Sequence, residues 1–338
     1  LLMFTAGFRV QHGFVRSDRK IVTVLLSSTT LLPFCAGWGL TIIYDFSPYN
    51  GPNGNADTLF LIVGIAFAVT SIPVISRIFI DLQIIQTRFA QIILTVATIQ
   101  DILLWGVLAI ATSMVGTEVI TGGILFAAIA KPILFCAIGI GVGTLLLRFA
   151  QTLKIATVIR SAKLGFALIW CFVATQLAAM LDVNIVFGAF VAGIVLGSLK
   201  PDQMEEEKKQ IADFSLAFFI PLYFAIVGYA INLPKAFDLE LFLVILVCST
   251  LVEGICAFFA IRFLRFNMLT GFNFAVALNT RGGPGIVLAS IAHGVGLIDE
   301  RMYVALVLTA IVTSIAAGAW FRFATRKGIL LMNDGGAN

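Results

Sequence analysis

The sequence predicts an all-α, polytopic membrane protein of about eleven transmembrane segments, and three observations carry that prediction. Hydrophobic residues fill 60% of the 338 positions and charged residues only 12%, a composition foreign to water-soluble domains. Apolar runs of roughly 20 residues, the length a helix needs to cross a ~30 Å hydrocarbon core, follow one another with short polar breaks. Lysine and arginine collect in alternate breaks, as basic loops on the cytoplasmic side do.

The segments are read as residues 1–9, 20–44, 58–80, 87–115, 119–148, 162–181, 183–199, 210–231, 239–265, 271–297 and 302–325. The first opens on Leu1-Leu2-Met3-Phe4, too few apolar residues before Arg9 to span, so it is expected to be cut at its start. Of the 22 basic residues, 18 fall in one alternate set of connections, only Lys235 and Arg301 in the other, and Lys131 and Arg281 within spans. The C-terminus is therefore expected on the cytoplasmic side, and the net charge of +4 reports orientation in the membrane and not a nucleic-acid partner. Residues 200–213, with the run Lys200 to Lys209, read as a cytoplasmic linker between halves, a solvated charge run. Glycine runs at 139–143 and 188–197 offer small residues for close helix packing. The five cysteines all lie in apolar segments without metal spacing and are expected to pack.

Two spans carry a proline flanked by hydroxyl or glycine residues: Thr70-Ser71-Ile72-Pro73 and Thr280-Arg281-Gly282-Gly283-Pro284. Both are expected to break, at Pro73 and at Gly282, Gly283 and Pro284. Proline removes a donor and crowds the carbonyl four residues earlier, while glycine lowers the cost of leaving helical geometry. Backbone freed at membrane depth needs a cavity, water or an ion as partner. Two interrupted helices in corresponding positions of two halves point to an inverted-repeat transporter with its site at the midplane. The halves containing them are residues 58–115 and 239–325 of one transmembrane domain, 1–338.

Asp101 lies midway along an otherwise apolar span. A charge there costs roughly 2.5–3.5 kcal/mol on insertion scales, so it should face a cavity or a partner. Burial favours the protonated carboxyl and a bound cation favours the carboxylate, so the two compete for one group. That competition is the least chemistry an antiporter needs. No ligand set for any metal other than a monovalent cation at Asp101 is seen. Thr70 and Ser71 offer hard oxygen ligands at the first break, or they cap the broken helix themselves. Arg281 would neutralise a carboxylate or the carbonyl end of a half-helix. Glu253, near the centre of span 239–265, is either a second proton site or the ion-pair partner of Arg281 or Lys131. Lys131 is expected to snorkel and His293 to pack by hydrogen bonding. No phosphate-binding loop, zinc spacing or nucleophile with an adjacent base occurs, so neither a cofactor nor enzymatic chemistry is expected.

Five stretches, TSIPVISRIFIDL (70–82), Gln100-Asp101, FGAFVAGIVLGS (187–198), FFIPLYFAIVGYAINL (218–233) and TRGGPGIVLA (280–289), occur in an order and spacing similar to those of a known family. The chain resembles the sodium/proton exchanger domain of the second cation:proton antiporter superfamily, which includes potassium efflux antiporters and plant cation/proton exchangers. The resemblance implies two crossed broken helices beside an ion-binding acid, a core that moves against a dimerisation domain, alternating access and a homodimer. It also implies thirteen spans, of which about eleven are present. Carried over by position, Asp101 is the ion-binding carboxylate, Thr70 and Ser71 are its neighbours, and Gln100 resembles the Gln-Asp form of potassium-type members. That tilts the substrate towards K+ over Na+, against H+. Glu253 departs from the pattern, since it falls where many relatives carry a lysine or arginine, which makes Arg281 the counter-ion to expect. Two other readings stay open: a non-transporting ion or pH sensor on the same domain, and a sodium-coupled symporter of organic anions.

Overall fold

The computed structural model describes residues 1–8, 18–115, 122–152, 162–181, 183–199 and 201–332. Arg9, Arg16, Lys154, Arg160 and Lys200 of the charge count, and positions 119–121 of the fifth expected span, lie outside them. Within them helices occupy every range that hydropathy assigned to a span. In hydrocarbon each backbone N–H and C=O must find its partner inside its own segment.

In chain order the helices are α1 (Leu2–Phe8), α2 (Arg19–Ile43), α3 (Ala56–Ala68), α4 (Ile72–Asp81), α5 (Arg88–Ser113), α6 (Gly122–Thr152), α7 (Lys163–Met180), α8 (Ile185–Gly197), α9 (Pro201–Phe214), α10 (Ile220–Ala230), α11 (Leu233–Ala236), α12 (Leu239–Phe263), α13 (Met268–Leu278), α14 (Gly282–Gly294) and α15 (Glu300–Arg326). Among the described residues, seven helical stretches are long and apolar enough to cross a membrane. The stretch expected as a solvated linker forms the helix α9, kinked at Met204, which passes through a π turn at Ser215–Phe219 into α10. Its Glu and Lys residues are good helix formers, and they pair within the helix (Lys208 to Glu205, 3.8 Å) and with Lys163 of α7 (Glu207, 3.4 Å).

The contacts divide the chain into two compact units. The first comprises Leu1–His12 and Ala109–Ile231. At its centre α8 is buried from Phe187 to Gly197. A Cβ on Gly193 would collide with the Phe4 carbonyl and one on Gly7 with that of Phe190, so α1 and α8 meet backbone to backbone. Small residues permit this approach where lipid removes any hydrophobic drive between helices.

The second unit comprises Gly13–Leu108 and Asn232–Asn338 and repeats one order of elements: long helix, interrupted helix, long helix. These are α2, α3 with α4, and α5 as far as Leu108, then α12, α13 with α14, and α15. Along α12 two i+4 rows separate the solvents. Leu239, Leu243, Val247, Leu251, Ile255, Phe259 and Phe263 are exposed, while Leu241, Ile245, Ser249, Glu253, Ala257 and Ile261 are buried. Apolar residues on both faces hide this division from hydropathy; the polar Ser249 and Glu253 mark the inward row.

Loops at one end of this unit are tied together. Asp238 caps α12 and accepts a hydrogen bond from the Tyr49 hydroxyl (3.1 Å), the Arg301 guanidinium sits 4.7 Å above the Tyr49 ring and donates to the Pro48 carbonyl (2.6 Å), and Asn50 bridges to Ile298. Desolvation first, then Tyr44 and Asp238 alongside, push the Tyr49 hydroxyl well above its usual pKa range. Thus α12 begins beside the loop in which α2 ends. Elsewhere in the unit, Arg88 at the start of α5 forks onto Asp18 before α2, with its shortest contact 2.6 Å. Four rings, Phe79, Phe89, Phe274 and Phe321, join α4, α5, α13 and α15 with centroids 4.9–5.8 Å apart. Phe89 touches the other three. Phe89→Ala is therefore expected to destabilise the unit by about 3–5 kcal/mol, against about 0.5 kcal/mol or less for the exposed Leu251→Ala, as measured by unfolding in detergent micelles.

Candidate functional site

Three residues separate the two halves of each interrupted helix. In the first, Val69 and Ser71 are extended between α3 and α4; in the second, Asn279, Thr280 and Arg281 separate α13 from α14. The predicted breaking residues lie just past the interruptions. Pro73 is in the first turn of α4, and Gly282, Gly283 and Pro284 open α14. A first-turn proline forfeits no helical hydrogen bond and is preset for helix, so it starts the second half-helix and does not itself form the gap. Gly282 has φ +32°, and a Cβ there would collide with Val74 and lie 2.6 Å from Ser71 Oγ. That position takes glycine for both reasons.

The two interruptions cross. The Ser71 N–H donates to the Thr280 carbonyl at 2.5 Å. The Thr70 hydroxyl donates to the carbonyl of Leu278, the last residue of α13, at 2.7 Å, and lies 3.3 Å from Glu253 Oε1. From the other interruption Arg281 reaches the carbonyl end of α3: Nε donates to Ala66 O (3.0 Å) and Nη2 to Phe67 O (3.1 Å). Each break therefore caps the carbonyl end of the other helix. A cation at a helix C-terminus also offsets its dipole, which carries roughly half an elementary charge.

Arg281 makes further bonds with the same fork. Nη2 is 2.8 Å from Glu253 Oε2 and 3.1 Å from Ser249 O, and Nη1 donates to Asn279 Oδ1 at 2.7 Å. The ion pair is enclosed, with side-chain exposures of 3% for Arg281 and 0% for Glu253. Asn279 in turn donates to the Thr250 carbonyl at 2.9 Å, and the Arg281 N–H to Thr313 Oγ1 at 3.4 Å, so α12 and α15 hold the second break from both sides.

Of the expected site residues, this crossing brings together Thr70, Ser71, Glu253 and Arg281. Ser71 caps its own helix, its Oγ accepting from Val74 N at 3.3 Å. Asp101 and Gln100 sit on α5 in the same unit, at 2% and 0% exposure. The Gln100 amide nitrogen donates to Thr29 Oγ1 (3.0 Å) and Thr29 O (3.1 Å) on α2, while its buried Oε1 has no hydrogen-bond partner among the described residues. That leaves a fixed amide with its oxygen unspent, one residue from a buried carboxyl. Lys131 is exposed on α6, and His293 stacks on Tyr303 with Nδ1 3.2 Å from Ile298 O.

With this geometry in view, comparison with known proteins assigns the chain. The profile of the transmembrane sodium/hydrogen exchanger family matches residues 1–327. The chain belongs to that family. It is similar to a probable Na+/H+ antiporter 3 of Methanocaldococcus jannaschii, 23% identical over 93% of this chain and 78% of the relative. It is likewise similar to the Na+/H+-K+ antiporter GerN of Bacillus cereus, 25% identical over 93% and 78%. Cation/H+ antiporter 15 of Arabidopsis thaliana is 27% identical over 92% of this chain and 38% of its own length. Like other members of the family, the chain is an integral membrane protein.

In this exchanger-family chain, sequence reasoning missed Thr29, Ser249, Asn279 and Thr313, which orient Gln100 and Arg281. Asn279, an amide in mid-span next to Thr280 and Arg281, carried the clearest signal. The remaining three look like ordinary hydroxyls that bond back to their own helix. The network predicts unequal costs for its two charges. Arg281→Ala leaves Glu253 and the α3 carbonyls buried without their donor and should cost about 3–5 kcal/mol. Glu253→Gln, which keeps every carbonyl contact of Arg281, should cost about 1–3 kcal/mol. Thermal unfolding of both variants in detergent checks the order.

Proposed function

We propose that the chain exchanges a monovalent cation for protons, with Asp101 as the group for which the two compete. The supporting observation is a buried carboxyl midway along a spanning helix, in the unit that also holds two crossed helix breaks. Desolvation favours the protonated carboxyl, and a dehydrated cation with oxygen ligands favours the carboxylate. Oxygen ligands are supplied by Gln100 Oε1 and by the hydroxyls of Thr70 and Ser71, whose capping bonds leave lone pairs to spare. Arg281 serves as counter-ion to Glu253 and as cap of α3, so its charge does not compete with the transported cation. Relatives named for Na+/H+, Na+/H+-K+ and cation/H+ antiport support this class of substrate. Gln100 in place of a second acid inclines the reading to K+ over Na+.

In the same reading the repeated order of elements in the second unit is an inverted repeat, supported by α12 beginning where α2 ends. The unit with the crossed breaks moves against the other to give alternating access. The protein works as a homodimer, and its C-terminus is cytoplasmic, supported by 18 of 22 basic residues on that side. The chain reconstituted in liposomes is expected to dissipate a pH gradient when K+ or Na+ is added, with Asp101→Asn reduced to the rate of empty liposomes. Because protons and cation share one site, the cation concentration for half-maximal flux should rise as pH falls. Flux unchanged in Asp101→Asn would sink the assignment of the site, and no flux from folded wild type would favour a non-transporting sensor.

A further inference from the structure

The last two turns of α15 carry a feature that exchange at Asp101 leaves unused. One i+4 row on this helix, Ile311, Ile315, Ala319 and Phe323, is exposed and apolar, with Ile311 at 41%, Ile315 at 64% and Phe323 at 49%. The opposite face, with Ala317, Phe321 and Ala324, is buried in the aromatic core. The exposed row ends at Lys327, and the neighbouring row supplies Arg322 and Arg326. These three cations line a surface pocket of about 530 Å³ with Ala319 and Phe323. Arg322 is laid back along the helix, its Nε donating to Gly318 O at 3.1 Å.

Among the described residues none of the three cations is ion-paired, as is also true of the exposed Arg262 and Arg265, whereas Arg77, Arg88, Arg281 and Arg301 have carboxylate partners; what sets the three apart is that they share one pocket. Three uncompensated cations with apolar side chains directly below them match one ligand chemistry: an anionic headgroup joined to a hydrocarbon tail. The apolar row from Ile311 to Phe323 rises over 12 residues, roughly 18 Å of helix at 1.5 Å per residue, close to the ~15 Å depth of one leaflet in a ~30 Å hydrocarbon core, and the cations follow at its end. A free inorganic anion would use the cations and ignore the apolar row.

We infer that the C-terminal end of α15 is a binding site for an anionic phospholipid, with the phosphate held by Arg322, Arg326 and Lys327 and an acyl chain laid along Ile311, Ile315, Ala319 and Phe323. The site adjoins the segment 328–332, which turns back at Gly328 (φ +64°). Its Leu331 carbonyl accepts from Asn273 Nδ2 of α13 at 3.0 Å, and Asn273 Oδ1 accepts from Trp320 of α15 at 2.9 Å. The bound lipid therefore steadies the end of α15 on which the first half of a broken helix is tied.

The test is native mass spectrometry of the full chain released from nanodiscs of mixed phosphatidylglycerol and phosphatidylcholine. Wild type should retain phosphatidylglycerol selectively, and the triple variant Arg322→Gln/Arg326→Gln/Lys327→Gln should lose that selectivity on the order of 100-fold, for three cations near an anionic surface. Arg77→Gln, a carboxylate-paired exposed arginine, should retain it. Two variants at exposed positions separate the parts: Arg322→Lys/Arg326→Lys should keep the lipid, and Ala319→Trp, which obstructs the acyl row, should weaken it. Equal retention of phosphatidylcholine, an unaffected triple variant, or displacement by millimolar inorganic phosphate with Ala319→Trp silent would each overturn the lipid assignment, the last in favour of a free anion.

Discussion

The structure depends on the way two broken helices satisfy each other. A chain that leaves helical geometry in hydrocarbon exposes carbonyls that no solvent will hydrogen-bond, at a cost of several kcal/mol each. Here the exposed carbonyl end of α3 is met by Arg281 from the second break, and that of α13 by Thr70 from the first. A backbone hydrogen bond between Ser71 and Thr280 fixes the crossing point. Neither break is tenable alone, because the groups that satisfy each one belong to the other. Gly282 follows from this constraint, since a side chain at that position would occupy the space where Ser71 and Val74 pass.

The same contacts show what Arg281 holds together. Its guanidinium serves two helix-end carbonyls, the Ser249 carbonyl, Asn279 and Glu253, which uses a rigid planar fork that lysine does not have. Glu253 brings a negative charge that leaves the enclosed network close to neutral. A buried ion pair contributes little net stability when compared with apolar packing, so the presence of the arginine is better explained by the carbonyls that it reaches. The charge balance of the crossing is thus closed within itself. In the proposed cycle this confines variable charge to Asp101, where gaining a proton and losing a cation are alternatives.

Much of this could be read from the amino acids, for reasons that differ by feature. Segment positions were legible because lipid enforces continuous apolar runs of fixed length, and Asp101, Glu253 and Arg281 because ionisable residues are conspicuous in such runs. The neighbourhood of the breaks is legible from Pro73 and Pro284, and the prolines themselves fall in the half-helices that follow: a proline marks where a half-helix can begin as readily as where one must end. Composition marks the charge run after Lys200 only as solvated, although Glu and Lys three apart support a helix, and α9 is what forms. What stayed hidden was the pairing of partners. Nothing in Thr29 announces that it will hold Gln100, since a hydroxyl bonded to its own helix and one bonded to another are the same letter in the sequence.

That blindness has a physical origin particular to membranes. In water, burial sorts apolar from polar residues, so an amphipathic pattern reveals which face of a helix packs. In α12 both faces are apolar, because one packs against protein and the other against lipid, and the two rows differ only at Ser249 and Glu253. Orientation must then come from the few polar groups, each of which costs too much to leave facing hydrocarbon. The residues that chemistry would use are therefore the same ones that specify how the helices turn. Substituting one of them changes both roles at once, which is why Gln100 is informative: its amide nitrogen is committed to α2 while its oxygen is not. A single side chain there orients α5 with one end and, in the proposed exchange, offers its oxygen to the cation with the other.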